Sequence, residues 1–245
     1  LTTPRLECSN AVQMTLRGEL ANAAVTAPPQ DVIAEYTQGG TSIPVGSLPL
    51  VGGARQLSDR LLTAADNPFG TPDMDGHYKI DALGQAIRIG NCRIEGTLVI
   101  IDTPLIILTN GITWNCAGDP NAILVTDGTI RLEDVEPTLN ESNISVNMNP
   151  VTSPYRGTES NNTTGDVYPT ELRGVLYTTD DIEIGPLTDG SQLRIEGVMV
   201  SNNLTITGNV AIQNFDGILQ TPPVPLADWI PMEFVRGTFR RVNVP

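Results

Sequence analysis

The sequence predicts an all-β protein folded as a parallel β-solenoid, and the stretch from Arg173 to Gln213 is the main reason. It contains six apolar pairs whose two-residue spacing places both side chains on one face of a strand: Val175 and Tyr177, Ile182 and Ile184, Leu193 and Ile195, Val198 and Val200, Leu204 and Ile206, and Val210 and Ile212. Turn-forming Gly, Asn, Asp and Thr separate the pairs. From Leu193 onward the pairs begin five or six residues apart, which is too close for ordinary hairpins. This spacing predicts a β-helix coil with about three faces and roughly 17 or 18 residues per turn, of either hand.

The composition agrees with a narrow aliphatic core and an acidic surface. Of the 245 residues 40% are hydrophobic but only 4% are aromatic, and stacked layers of Val, Ile and Leu leave little room for rings. The formal net charge is −14, with Lys79 as the only lysine and His77 as the only histidine. Such a surface predicts no nucleic-acid partner and no anionic-lipid partner, because both require basic patches.

The sequence contains neither a membrane span nor a signal peptide. Its longest apolar run falls far short of the ~20 residues that a transmembrane helix needs. The chain begins at Leu1 rather than Met, so we expect a processed chain or a fragment. Any membrane segment of the precursor would then lie upstream of Leu1.

The stretch from Ala86 to Glu133 repeats the strand-and-turn pattern. The tetrapeptide Arg-Ile-Glu-Gly occurs at Arg93–Gly96 and again at Arg194–Gly197, each time before an apolar strand, which suggests equivalent positions in two coils. The predicted strands of this stretch are Ala86–Ile89, Cys92–Ile94, Thr97–Ile101, Leu105–Leu108, Ile112–Trp114, Ala122–Val125 and Thr129–Leu132.

These patterns divide the chain into five parts. They are an N-terminal helical and loop region (1–66), a first solenoid block (67–135), a polar excursion (136–172), a second solenoid block (173–213) and a C-terminal cap (214–245). Apolar residues at helical spacing predict short helices at residues 5–25 and at Arg55–Ala65, with loop or edge strands over residues 31–54. The prolines and aromatic residues of the last part predict a cap over the open end of the coil.

The excursion, residues 136–172, is rich in Asn, Ser, Thr and Pro and is typical of a functional or flexible loop. If the source glycosylates proteins, Asn-x-Ser/Thr sequons predict glycans here. Four sequons lie in the excursion and one in the second block, at Asn140, Asn143, Asn161, Asn162 and Asn203.

Asp73, Asp75 and Asp81 surround Gly76 and offer the carboxylate oxygens that calcium prefers. Calcium is the only cofactor that the sequence suggests. The alternative is a simple Asp-Gly turn that leads into a strand at Tyr78–Ile80.

The three cysteines match no zinc pattern. Cys92 and Cys116 are 24 residues apart, a spacing that allows a disulfide between neighbouring coils. Two buried free thiols are the alternative. In either case Cys8 is left over.

No catalytic constellation stands out in the sequence. Asp180, Asp181, Glu183 and Glu196 are candidates for the acid–base chemistry of β-helix polysaccharide enzymes, but exposed carboxylates are expected on any surface this acidic. His77 lies in an Asp-Gly turn without a nucleophile motif near it. We therefore predict a protein that is not an enzyme and has no catalytic residues.

Several short motifs, in this order, resemble bacterial minor-pilin-like proteins of the type IV pilus assembly kind. The resemblance covers about Asn67 to Val242 and rests on DMDGHYKIDA, RIEGTLVIIDTP, ILVTDGTIRLE, MNPVTSPYRG, GVLYTTDDIEIGP and LRIEGVMVSNNLTITGNVAIQ. It implies an extracellular or cell-surface protein with a β-solenoid ectodomain, tethered in its precursor by an N-terminal helix that is missing from this sequence. A more distant resemblance is to bactofilins, β-solenoids that polymerise end to end. The family offers no catalytic residues.

Three functions follow as hypotheses. The first is a structural protein of the cell envelope that self-associates or joins other pilus or surface-layer subunits, because solenoid ends are templates for assembly. The second is a carbohydrate-binding or adhesion module in which Trp114 and Tyr155 stack on sugars. The third is a polysaccharide-active enzyme.

Overall fold

The computed structural model describes residues 31–117, 122–187 and 192–213, which are mostly β-structure in a largely parallel sheet. The predicted helix at residues 5–25, Cys8 and the predicted cap at residues 214–245 lie outside these residues. The fold class predicted from the apolar alternation is therefore confirmed as all-β.

The described residues contain two short helices and sixteen strands. The helices are α1 (Asp31–Thr37) and α2 (Glu141–Ile144), and 3-10 turns lie at Val45–Ser47 and Tyr155–Gly157. The strands are β1 (Thr41–Ser42), β2 (Leu50–Val51), β3 (Ala54–Leu62), β4 (His77–Asp81), β5 (Ala86–Glu95), β6 (Thr97–Ile101), β7 (Leu105–Asn115), β8 (Ala122–Thr126), β9 (Thr129–Val135), β10 (Thr138–Asn140), β11 (Val167–Pro169), β12 (Glu171–Thr178), β13 (Ile182–Ile184), β14 (Leu193–Val200), β15 (Leu204–Ile206) and β16 (Val210–Gln213).

The strands pair in three ladders. Ladder A runs from β2 through the first halves of β3, β5 and β7 to β9, β13 and β15. Ladder B runs from the second halves of β3, β5 and β7 through the starts of β12 and β14 to β16. Ladder C joins β1, β4, β6 and β8 to the ends of β12 and β14. Every pairing is parallel except that of β2 with β3, and β10 and β11 form a separate antiparallel pair.

The turn from ladder A to ladder B uses Asp or Asn in the left-handed conformation. Asp59, Asn91 and Asn110 have φ angles of 56°, 51° and 57°, which their short polar side chains tolerate better than other residues do. The strand therefore bends without ending. The dipeptide Asn110–Gly111, a turn-forming pair, lies at this corner.

The predicted helix at Arg55–Ala65 is wrong, because these residues belong mainly to β3. Leu57 and Leu62 both face the core, five residues apart, whereas an unbroken strand would alternate every two residues. The left-handed residue Asp59 breaks that alternation. The resulting apolar spacing resembles a helical period. The ladders therefore begin before residue 67, the predicted start of the first solenoid block, and their first strand begins at Thr41.

A single core cluster contains apolar side chains of all three ladders. The inward column of ladder A is Leu57, Ile89, Leu108, Leu132, Ile184 and Ile206, and that of ladder B includes Leu62, Ile94, Trp114, Leu172 and Ile195. Almost all of these residues are aliphatic, in agreement with the low aromatic content of the chain.

The register explains the repeated Arg-Ile-Glu-Gly tetrapeptide. Arg93 pairs with Thr113, Thr113 with Glu171, and Glu171 with Arg194, so both copies occupy the same position in ladder B, three rungs apart. At the end of ladder B, Leu193 pairs with Val210, 17 residues further along the chain, which matches the predicted repeat length. Elsewhere the offset is longer, as in the pairing of Glu171 with Arg194.

Two segments cover the outer faces of the ladders. Val32 and Tyr36 of α1 pack against Val99, Val125 and Tyr177 on the outside of ladder C. The excursion packs Leu139, Met148 and Tyr168 against Leu61 on the outside of ladder B. The excursion is thus a folded part of the protein.

The corner glycines generate the first prediction. A Cβ atom on Gly96, where φ is 143°, would overlap the carbonyl oxygen of Gly76. We expect Gly96→Ala to lower the free energy of unfolding by more than about 2 kcal/mol, as measured by urea denaturation. The control is Gly165→Ala, since no atom lies within 4 Å of its added Cβ. An equal effect of the two substitutions on the free energy of unfolding would contradict the claim that the backbone of Gly76 leaves no room for a side chain at position 96.

Candidate functional site

Arg93 fastens the excursion to ladder B. Its side chain is fully buried, and its guanidinium donates to the carbonyl oxygens of Met148, Ser153 (2.7 Å) and Pro154 (3.2 Å) and pairs with Glu95. These contacts offset much of the cost of burying a guanidinium, while Nε of Arg93 is buried with no hydrogen-bond partner in the described part of the chain. Sequence reasoning found Arg93 only as part of the repeat, because the carbonyl oxygens that it contacts lie more than 50 residues away.

Glu141 organises the other side of the excursion. Its buried carboxylate accepts from the backbone N–H groups of Met148 (2.6 Å) and Asp166 (3.0 Å) and from the hydroxyl of Tyr168 (2.8 Å). Burial, followed by the hydrogen bond to Glu141, raises the pKa of Tyr168. Residues 141 to 168 are therefore held by a polar centre that no sequence motif marks.

Tyr155 does not offer a free ring face for stacking on a sugar. The guanidinium carbons of Arg93 and Arg156 lie 5.3 Å and 5.1 Å from its ring centroid, and Tyr168 packs edge-on against it at 4.8 Å. Trp114 is fully buried and donates its Nε1–H to the carbonyl oxygen of Gly96 (3.1 Å). Neither aromatic side chain is placed as the adhesion hypothesis requires.

Charged side chains alternate along the outer face of ladder B. Arg156 pairs with the buried carboxylate of Glu171, and Glu196 pairs with Arg173 (2.5 Å) and with Arg194. Burial and the neighbouring Arg173 lower the pKa of Arg156, although Tyr155 opposes this shift. Of these ion pairs, Arg173–Glu196 joins the neighbouring strands β12 and β14, whereas Arg156–Glu171 joins the excursion to β12.

The carboxylates proposed for catalysis are engaged in contacts between rungs. Asp180 accepts from the hydroxyl of Thr129 (2.8 Å), and Asp181 accepts from the side-chain amide of Asn203 (2.8 Å). Glu183 pairs with Arg131 (2.7 Å), and Glu196 has the two arginine partners described above. Each of these four groups has a structural partner, and the structure does not gather them into one site.

The predicted calcium ligands are not brought together. Asp73 accepts from the backbone of Asp75 (3.0 Å) and His77 (3.2 Å) and from the hydroxyl of Thr41 (3.0 Å). Asp81 lies at the other end of β4, about 13 Å from His77 at the usual rise per residue. Its carboxylate accepts a hydrogen bond from the backbone N–H of Leu83 (3.2 Å). Calcium ligands lie much closer to one another than that, and no group of three metal-binding side chains occurs among the described residues. Asp73 closes the Asp-Gly turn that leads into β4, and calcium binding stays a prediction.

Cys92 and Cys116 are free thiols in the structure. Cys92 pairs with Ile112, four residues before Cys116, which corresponds to about 13 Å along the strand. A disulfide requires Cα atoms within about 7 Å, so the register does not fit the predicted bond. Burial raises the pKa of Cys92 to about 12, as expected for an inert core thiol.

The five sequon asparagines differ in the availability of their side-chain amides. Asn143 and Asn162 are exposed. Asn161 donates its amide to Asp166 (2.7 Å), Asn203 donates to Asp181 (2.8 Å), and Asn140 caps α2 through its oxygen. Asn203 is exposed as well, and glycosylation stays a prediction at all five positions.

His77 packs against α1, where its ring lies edge-on to Tyr36 with the centroids 6.2 Å apart. Its Nε2 atom is buried and has no hydrogen-bond partner in the described part of the chain. Burial lowers the pKa of His77, although the nearby Asp73 opposes this shift. The imidazole is therefore held neutral in the fold.

The two ends of the ladders form the candidate assembly edges. At the first end, β2 exposes Leu50 (57%) and Val51 (60%). At the last end, β15 pairs only with β13 and β16 only with β14 among the described strands. Ile212 of β16 is 47% exposed, whereas Ile195 one rung earlier is completely buried. Within the described ranges each end thus presents apolar side chains and a strand edge without a partner, a combination that favours strand addition.

Comparisons of the chain with protein-family models, with curated proteins and with solved structures find no match. No helix in the described ranges is long and apolar enough to cross a bilayer.

The Arg93 contacts generate the second prediction. We expect Arg93→Ala to lower the free energy of unfolding by about 3 kcal/mol or more, because it leaves buried acceptors unpaired. Hydrogen exchange should then accelerate first in the excursion. The exposed Arg60→Ala serves as the control, with an expected change within about 0.5 kcal/mol. Unchanged exchange in the excursion of Arg93→Ala would refute this role.

His77 generates the third prediction. The folded state holds the pKa of this histidine below its unfolded value, so the unfolded chain binds the proton more readily and stability must fall as the pH drops through about 6.5. We expect urea midpoints to fall between pH 7.5 and pH 5.5 and to stay nearly level in His77→Gln. The single histidine of the chain makes the comparison clean. The same pH slope in both proteins would show that another group is responsible.

Proposed function

We propose that the protein is a structural β-solenoid of the cell surface or extracellular space, a pilin-like subunit or accessory that associates with further copies or with other surface subunits. The observation that carries this proposal is that the terminal strands at the two ends of the ladders expose apolar side chains and, among the described strands, pair on one side only. The short-motif resemblance to minor-pilin-like proteins supports the class and location.

We take the three ladders to be the three walls of a solenoid. The shared core, with aliphatic residues from every ladder, supports this interpretation. So do the corner residues, which recur from rung to rung at Asp59, Asn91 and Asn110. A stacked solenoid buries its core between rungs, and therefore its terminal rungs are the ones left incomplete.

The distribution of exposed apolar side chains supports association through the ends. The described residues expose seven large hydrophobic side chains, and three of them, Leu50, Val51 and Ile212, lie on the terminal strands. The faces between the ends are covered by α1 and the excursion or carry ion pairs. A partner bound at either end would therefore bury these exposed apolar side chains.

The other two hypotheses have less support in the geometry. An adhesion module needs exposed aromatic rings, but Trp114 is buried and Tyr155 is flanked by two arginines. An enzyme needs converging carboxylates that are free to react, and the four candidates pair separately. We therefore propose a structural role without catalysis.

The assembly proposal generates the fourth prediction. Light scattering of the full chain at rising concentration should show self-association. It should strengthen with moderate salt, which screens the repulsion between chains of net charge −14. Ile212→Lys and Val51→Lys should each weaken association at least roughly tenfold, since both place a charge in the contact. Val167→Lys is the matched control, because Val167 is 56% exposed and lies on β11, which pairs with β10 outside the three ladders. A chain that stays monomeric at every concentration and salt would refute self-assembly.

A further inference from the structure

We propose that two copies of the chain associate side by side through the outer face of ladder A, related by a two-fold axis that runs parallel to the strands. In this arrangement Arg88 of each copy faces Glu183 of the other. Ile107 of each copy likewise faces Arg131. The inference rests on the proposed function, association between copies, and adds a contact through the flank to the contacts proposed at the two ends.

Within the described ranges, the outer face of ladder A has no covering segment of the kind seen on the other two ladders. Helix α1 packs on the outside of ladder C, and the excursion packs on the outside of ladder B. The outer face of ladder A instead carries the ion pairs Arg88–Glu133 and Arg131–Glu183, whose four side chains are 32% to 40% exposed. These side chains are therefore accessible to a second copy.

One column of side chains follows this face from the first rung to the last. In order it is Gln56, Arg88, Ile107, Arg131, Glu183 and Thr205. The column points outward, because its members alternate along each strand with the inward column from Leu57 to Ile206, and Ile107 is absent from the core cluster. The face thus presents a fixed order of side chains, which is polar, positive, apolar, positive, negative and polar.

This order is complementary to its own reverse. A two-fold axis parallel to the strands and level with the gap between β7 and β9 reverses the order of the rungs and keeps each position along the strand. Arg88 on the second rung then meets Glu183 on the fifth, and this pair forms twice. Ile107 on the third rung meets Arg131 on the fourth, and the polar residues of the terminal rungs meet each other. No like charges of the column face one another, which favours this contact.

The alternative face-to-face arrangement has its two-fold axis parallel to the direction in which the rungs stack. An axis of that kind placed on this column keeps the rungs level and sets Arg88, Arg131 and Glu183 each opposite its own copy. Like charges brought together in an interface cost free energy. The order of charges therefore selects the arrangement in which the two copies run in opposite directions.

The charge balance of this face favours the approach of a second copy. Its two arginines and two glutamates cancel, although the whole chain carries a net charge of −14. Salt at physiological strength screens charges that lie more than about 8 Å apart and weakens direct ion pairs much less. Packed sheets lie about 10 Å apart, which an arginine and a glutamate side chain can span. Arg88 contacts Glu133 of its own copy only loosely, at 3.6 Å, and a guanidinium has further donors to offer.

The face is small, so the dimer should be weak. Its six rungs are separated by about 4.8 Å each, and about five residues of each strand belong to it, as in Ala86–Gly90. These dimensions give roughly 400 Å² per copy, about half of what each partner buries in a typical stable interface. We therefore expect dimers at high protein concentration, as on a surface where copies are crowded.

Charge reversal in an end-blocked chain tests the arrangement. The full chain carries Val51→Lys and Ile212→Lys, two exposed positions whose substitution opposes end-to-end association, and sedimentation equilibrium measures the remaining dimer. In this background Arg88→Glu or Glu183→Arg places two like-charge pairs in the contact. We expect each to weaken dimerisation at least roughly tenfold. An equimolar mixture of the two variants should dimerise nearly as well as the parent, because each substituted side chain then faces an opposite charge.

The mixture separates a specific contact from a folding defect, because a defect in either variant would persist when the two are mixed. Arg60→Glu is the control for charge reversal, since Arg60 is exposed and lies beyond the corner at Asp59, in the part of β3 that belongs to ladder B. It should leave dimerisation of the end-blocked chain unchanged. A mixture that dimerises no better than the single variants would overturn the proposed arrangement.

Failure of this contact is distinguishable from failure of the proposed function. The chain without blocked ends is measured beside the end-blocked chain. Association of the former with an end-blocked chain that stays monomeric would overturn the flank contact and leave the proposed function standing. Monomers of both chains at every concentration would overturn the flank contact together with the proposed self-assembly.

Discussion

The parallel register is the constraint on which the structure depends. Neighbouring rungs are about 4.8 Å apart, so each side chain contacts the residues directly above and below it in its column. Inward columns therefore have to be aliphatic throughout, as from Leu57 to Ile206 in ladder A. Outward columns have to avoid like charges on adjacent rungs. Arg173 and Glu196, which are opposite in charge and adjacent in one column, follow this rule. At the corners the backbones of two rungs come so close that Gly197 has no room for a Cβ beside the carbonyl oxygen of Gly174.

Local sequence pattern predicts most of the strands because the rung is a local unit. All seven strands predicted between Ala86 and Leu132 lie within observed strands, since alternation and Asx or Gly turns determine them within a few residues. The same reasoning fails at residues 55–65, where the left-handed Asp59 produces a helix-like apolar spacing. It also leaves α1 unpredicted. Helix α1 is only seven residues long and is stabilised by Val32 and Tyr36 packing on ladder C.

The excursion could not be predicted because its contacts are long-range and polar. Arg93 reaches carbonyl oxygens in residues 148–154, and Glu141 holds Tyr168. Neither contact leaves a periodic signal in the sequence. The candidate assembly edges were predicted only in principle, as the open ends of a solenoid. Which strands form them depends on pairing, since among the described strands β2 pairs with only two residues of the outer edge of β3.

The size of these edges limits how tightly copies can bind. One ladder of a few residues buries far less surface than the roughly 1,200 Å² of a typical stable interface. Each chain also carries a net charge of −14, and salt at physiological strength screens that repulsion only beyond about 8 Å. Contacts of this kind are weak in dilute solution and become effective when copies are held close together, because tethering raises their effective concentration. The surface-anchored or filament-bound arrangement that we propose would supply that proximity, so weak ends and a high negative charge are compatible with the proposed assembly of concentrated copies.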